Sequence, residues 1–231
     1  MPTLQREPEQ QVFSVVILGN FNPKIFHPLW YAQNELIAGQ EIDEADDVLS
    51  SSEVSMFNWH GIHFQIEQHR FGLTTKDAAR VPQLRDLAIG SFSLLEHTPL
   101  SAIGFNLESR FQLPSRDAWN SVGDRLAPKD QWQSILEDPG MLSVAMLGKR
   151  KDCSADRISI RVAPASGLEN GVVVSINQHY NIETEQRISI ADRNNEVMRA
   201  LKDDWKSFRN YAESTAVSLA CDGIEQAGTG S

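Results

Sequence analysis

Two cysteines are all this chain carries, Cys153 and Cys221, and they lie too far apart to form a C-x-x-C pair. That scarcity excludes a disulfide-held secreted scaffold and fits free thiols in a reducing, cytoplasmic setting. No apolar run approaches the roughly 20 residues of a membrane-spanning helix. The polar opening, Met1 to Gln10, carries no secretory pattern. Positive charge is also short: 21 Lys and Arg stand against 31 Asp and Glu, a net charge of −10. Such a deficit disfavours a nucleic-acid partner, because phosphate-binding proteins present a basic surface. No P-loop, G-x-G-x-x-G or G-x-S-x-G is found. The one H-x-x-H, His60-Gly61-Ile62-His63, straddles a hairpin turn instead of lying on one helix face. No catalytic residue, metal site or cofactor is therefore assigned.

What remains is ordinary globular material, with 41% hydrophobic residues. Val12-Phe13-Ser14-Val15-Val16-Ile17-Leu18-Gly19 reads as a strand central in a sheet. Pro28 opens a helix that stops at Gly39. The acidic run Glu41 to Asp47 reads as a solvated loop, since the alternating ligands and turn glycine of a calcium loop are missing. Val54–Trp59 and Ile62–Gln68 form a hairpin around His60-Gly61. A change of parity at Phe71 and Leu73 predicts a bulge near Gln68–Arg70. Pro82 opens a second helix, which runs up to Pro99.

Past Pro99 the order of elements begins again. An extended run from Leu100 to Leu113 precedes a helix capped by Ser115 and another begun by Pro128. Strands are expected over Met141–Gly148, Arg157–Ala163 and Gly171–His179. A last helix spans roughly 30 residues, about 45 Å, from Ala191 to Ala220. The stretch Gln65-Ile66-Glu67-Gln68-His69 matches Ser175-Ile176-Asn177-Gln178-His179 in type and place. The fold expected is α+β: two pseudo-repeated strand-helix-strand-strand-helix halves, with one extra strand in the second. They form a curved antiparallel sheet with helices on one face and a long C-terminal helix. Its divisions are a lead-in at 1–11, halves at 12–98 and 99–221, and a tail at 222–231, all within one unit. In element order this resembles the two-repeat saddle of TATA-box-binding proteins. The opening Phe13–Phe71, with its strand, Pro-containing turn, helix and hairpin, also resembles a group of uncharacterised bacterial proteins of similar size. Saddles that bind DNA are basic on the concave face, and this chain is acidic.

Two sets of residues stand out. Glu67, His69, Asn177 and His179 are candidates to line a polar pocket between sheet and helix. Met198, Tyr211, Thr215 and Leu219 widen the apolar band of the last helix beyond one sheet face, Trp205 on its central stripe is a further interface anchor, and Lys149-Arg150-Lys151 is the one dense basic cluster. Both latter groups read as interface candidates. The leading expectation is a non-enzymatic bacterial accessory protein acting through a protein partner or self-association. The alternative is a small-molecule-binding or enzymatic domain using the pocket.

Overall fold

The computed structural model describes residues 7–153, 155–182 and 189–222. Among them nine antiparallel strands form one sheet. These are β1 (Gln10–Gly19), β2 (Asp46–Ser50), β3 (Val54–Trp59), β4 (Ile62–Glu67), β5 (Arg70–Thr75), β6 (Leu100–Gln112), β7 (Val144–Gly148), β8 (Arg157–Pro164) and β9 (Gly171–Asn181). Their spatial order is β2-β3-β4-β5-β1-β6-β9-β8-β7. The helices are α1 (Pro28–Gln33), α2 (Val81–Leu94), α3 (Arg116–Leu126), α4 (Ile190–Arg199) and α5 (Trp205–Cys221). A π segment, Ala200–Asp204, joins the last two into one unbroken rod. Among the described residues no helix is long and apolar enough to cross a membrane.

Strand β1 lies at the centre, paired with β5 on one side and β6 on the other. Alternation sends Phe13, Val15 and Ile17 to one face, beside Phe71 and Leu73 of β5 and Ile103, Phe105 and Leu107 of β6. The helices dock on that face. Tyr31 of α1 packs edge-on to Phe57 and Phe64, Phe92 of α2 meets Phe71 at 5.0 Å, and Trp205 of α5 meets Phe105 at 5.0 Å. Each such aromatic pair adds about 0.5–1.5 kcal/mol to the burial of its rings.

The π segment has a packing reason. Val197, Leu201, Trp205, Phe208, Ala212, Ala216 and Ala220 are all buried. They recur mostly every four residues, and each such step overshoots a full α-helical turn by about 40°. A turn holding one extra residue rewinds the stripe and keeps both ends of the rod on the sheet. Ser189 caps its start by accepting from the Asp192 amide at 3.1 Å.

Several expectations need correcting. The supposed bulge at Gln68–Arg70 is a two-residue turn, and the residues beyond it form a separate strand, β5, with Glu67 paired to Arg70. The first half therefore has the larger number of strands. The acidic loop runs into a strand, β2, whose pairing with β3 is irregular. Lys129 to Leu136 forms turns in place of a second helix. The matched stretches fall on different places: Gln65 and Glu67 lie on β4, two strands from β1, whereas Ser175–His179 lies on β9, next to β6. Of the lead-in, Glu7 to Gln11 is described, and β1 already begins at Gln10. The tail beyond Asp222 lies outside the described residues.

Candidate functional site

The face of the sheet turned away from the helices is the candidate site. The alternation that buries Phe13 and Val15 turns Val12, Ser14 and Val16 to this side. Through the strand register, one row across the sheet reads Ser159, Asn177, Asn106, Ser14, Thr74, His63, Asn58. Every member is polar. Asn177 donates to the Asn106 carbonyl oxygen at 2.6 Å, and His63 Nδ1 lies 2.7 Å from Asn58 Oδ1. The neighbouring rows are Arg157, His179, Gly104, Val16, Gly72, Gln65 on one side and Arg161, Ser175, Glu108, Val12 on the other.

Two glycines keep the floor low on either side of Val16. A methyl group at Gly104 would stand 3.3 Å from the Asn177 amide nitrogen, and one at Gly72 would stand 2.8 Å from the Arg70 guanidinium. A groove of about 430 Å³ opens beside this floor, walled by Ser14, Asn106, Glu108, Ser159, Arg161 and Asn177. Its charge is uneven. Glu108 is held by Arg110 at 3.0 Å. Arg157 and Arg161 are exposed and join no ion pair among the described residues. Burial, then the nearby Arg157, pushes the His179 imidazole below its ordinary pKa, and Asp156 opposes this in part.

The four pocket candidates are not brought together. Glu67 and His69 belong to β4 and the turn after it, Asn177 and His179 to β9, with β5, β1 and β6 in between. At about 4.8 Å per strand that is roughly 19 Å. Glu67 accepts from Gln65 at 2.7 Å, and His69 is an exposed turn residue 3.4 Å from the Gly19 carbonyl. Asn177 and His179 point away from the helices, so they line no pocket between sheet and helix. Among the described residues no group of three or more His, Cys, Asp and Glu could hold a metal ion.

The interface candidates fare differently. Trp205 is 3% exposed and belongs to the core. Tyr211, Thr215 and Leu219 are half-buried. Arg150 lies over the Tyr211 ring at 4.3 Å, and Arg125 of α3 donates to the Leu219 backbone carbonyl at 2.5 Å. Arg150 is itself buried. Its guanidinium donates to Asp152 at 2.6 and 3.0 Å, to Gln178 at 2.9 Å and to Ser207 at 2.8 Å. Of the basic cluster only Lys149 and Lys151 remain at the surface.

Sequence reasoning passed over Arg157, Ser159 and Arg161, although the alternation Arg157-Ile158-Ser159-Ile160-Arg161-Val162 carried the signal of a polar face. A scan against family models finds none that matches this chain, and no curated protein matches it.

Proposed function

We propose that this chain is a non-enzymatic binding protein whose open sheet face receives an acidic, extended polypeptide segment. One observation carries the reading. In a chain of net charge −10, Arg157 and Arg161 stand without an ion-pair partner among the described residues, and Arg161 lines the groove, where the one acidic residue, Glu108, is already held by Arg110. A planar guanidinium matches a carboxylate with two parallel hydrogen bonds. The row of Asn and Ser side chains offers donors and acceptors to a peptide backbone laid along it. The glycine floor lets that backbone approach closely.

We also infer an internal duplication. Outward from the β1–β6 seam the order reads β5, β4, β3 on one side, with β2 added at that edge, and β9, β8, β7 on the other, and each half ends in a helix on the covered face. The open face would then span the seam, as the concave side of a saddle does.

A fluorescent poly-glutamate peptide tests the reading. Binding measured by anisotropy should weaken at least about tenfold in Arg157→Ala/Arg161→Ala, as expected when two charge-assisted contacts are lost. Absence of binding, or binding that the double substitution leaves unchanged, would reject it. Equal affinity for a single-stranded DNA oligonucleotide would also count against a polypeptide partner.

A further inference from the structure

The two edges of the sheet are built differently. At one end β2 carries Asp46 and Asp47, its pairing slips between Asp46 and Leu49, and Asp47 has a left-handed φ of 51°. Charge and irregularity of this kind keep an edge strand from pairing with another chain. At the other end β7 reads Val144-Ala145-Met146-Leu147-Gly148, with no charge and no proline, and it pairs with β8 in unbroken register. Among the described residues its outer edge has no strand partner, so it offers a row of backbone donors and acceptors. Met146 and Leu147 are 69% and 71% exposed. The segment just before β7 adds Leu142 at 86%, with Trp132 and Leu136 at 51% each, and these three line one shallow apolar pocket.

We propose that β7 is the edge through which two copies of this chain pair, antiparallel about a two-fold axis, joining the two sheets into one. Three features point to a second copy as the occupant. An unprotected, regular apolar edge calls for another strand of the same character, and β7 is itself that strand. The five exposed side chains present on the order of 600 Å², close to the roughly 800 Å² per partner that a stable interface buries, and backbone pairing adds to it. The charges are also self-complementary. Glu137 and Asp138 precede β7, and Lys149 and Lys151 follow it. Antiparallel pairing sets the acidic end of one copy beside the basic end of the other. This association uses the sheet edge, so it is independent of what the open face binds.

Sedimentation velocity on the full chain, from micromolar to several hundred micromolar, reads the outcome. A species of two chains is expected. It should be lost in Leu147→Lys and in Met146→Lys, each of which sets like charges near the axis, with the melting temperature at dissociating dilution unchanged because both side chains are already at the surface. Hydrogen exchange on the unaltered protein gives a second readout, with the β7 amides slowing as concentration rises. A single-chain mass at every concentration would overturn the proposal. So would a dimer that survives both lysines, or one abolished instead by Tyr211→Asp and Leu219→Asp on α5.

Discussion

Arg150 illustrates how much a single side chain's role depends on its surroundings. Within Lys149-Arg150-Lys151 it looks like the middle of a solvated basic turn, and nothing local separates it from its neighbours. In the fold it is 7% exposed and holds together a loop, the sheet and α5. Removing it leaves the fully buried Gln178 oxygen without its donor and uncovers the Tyr211 ring. Arg150→Ala should therefore cost about 1–3 kcal/mol in urea unfolding, the range for stranding a buried polar group. Arg150→Met combined with Gln178→Leu should cost less than the two singles together, because both halves of the contact leave at once. Acid titration adds a sign. The hydrogen bond from Arg150, and then its charge, hold the Asp152 pKa below the ordinary carboxylate value, with desolvation opposing. Its contribution is complete above the ordinary pKa and fades as pH falls through the depressed one. Arg150→Ala should flatten that acid-side loss. A mutant with unchanged stability and an unchanged acid limb would show that the network is idle.

At the level of elements, legibility followed periodicity and failed where the spacing was ambiguous. The central strand, the His60-Gly61 hairpin and the long terminal helix were all readable. Each rests on a strong local pattern, and the hairpin turn has the two positive φ angles, 48° and 76°, that a tight two-residue connection needs. The turn at Gln68–His69 was mistaken for a bulge, because a parity change looks the same whether the strand kinks or ends. The helix expected after Pro128 carried apolar residues at helical spacing, but Trp132, Ile135 and Leu136 have no sheet beneath them and are more than half exposed. The π segment was invisible, since its cause is the angular drift of a seven-member stripe that runs from Val197 to Ala220. That cause predicts an asymmetry. Lys202 is exposed, so Lys202→Ala should fall within about 0.5 kcal/mol of the parent. Inserting one alanine after Lys202 adds a residue that the widened turn has no room for and rotates everything after it by about 100°. Phe208 and the alanines then leave the sheet, at a cost of at least about 3 kcal/mol, the scale of losing a buried aromatic. Equal thermal unfolding of the two variants would refute the stripe argument.

Across the whole molecule, element order alone did not disclose how the halves expected at 12–98 and 99–221 would join, and the strands of both lie in a single sheet. The halves share one continuous sheet through β1 and β6, paired from Gln10 with Arg110 to Leu18 with Ala102. They also share their cover. Asn194 of α4 donates to the Glu96 carbonyl at the end of the first half, and Arg209 of α5 lies over the Phe13 ring of β1. A chain of residues 1–98 alone would therefore lose the partner along the whole β6 side of β1 and part of the roof over Phe13. A chain of residues 99–231 would lose the β1 side of β6 in the same way. Unpaired central strands leave both backbone groups and apolar faces open to water, which favours aggregation over folding. Neither piece should melt cooperatively when expressed by itself. Co-expression should return a soluble complex with a single transition, because the seam is restored without a covalent link. A cooperative melt and dispersed amide spectrum from residues 1–98 alone would mean that each half is a domain in its own right, and that the β1–β6 pairing is a contact between finished units.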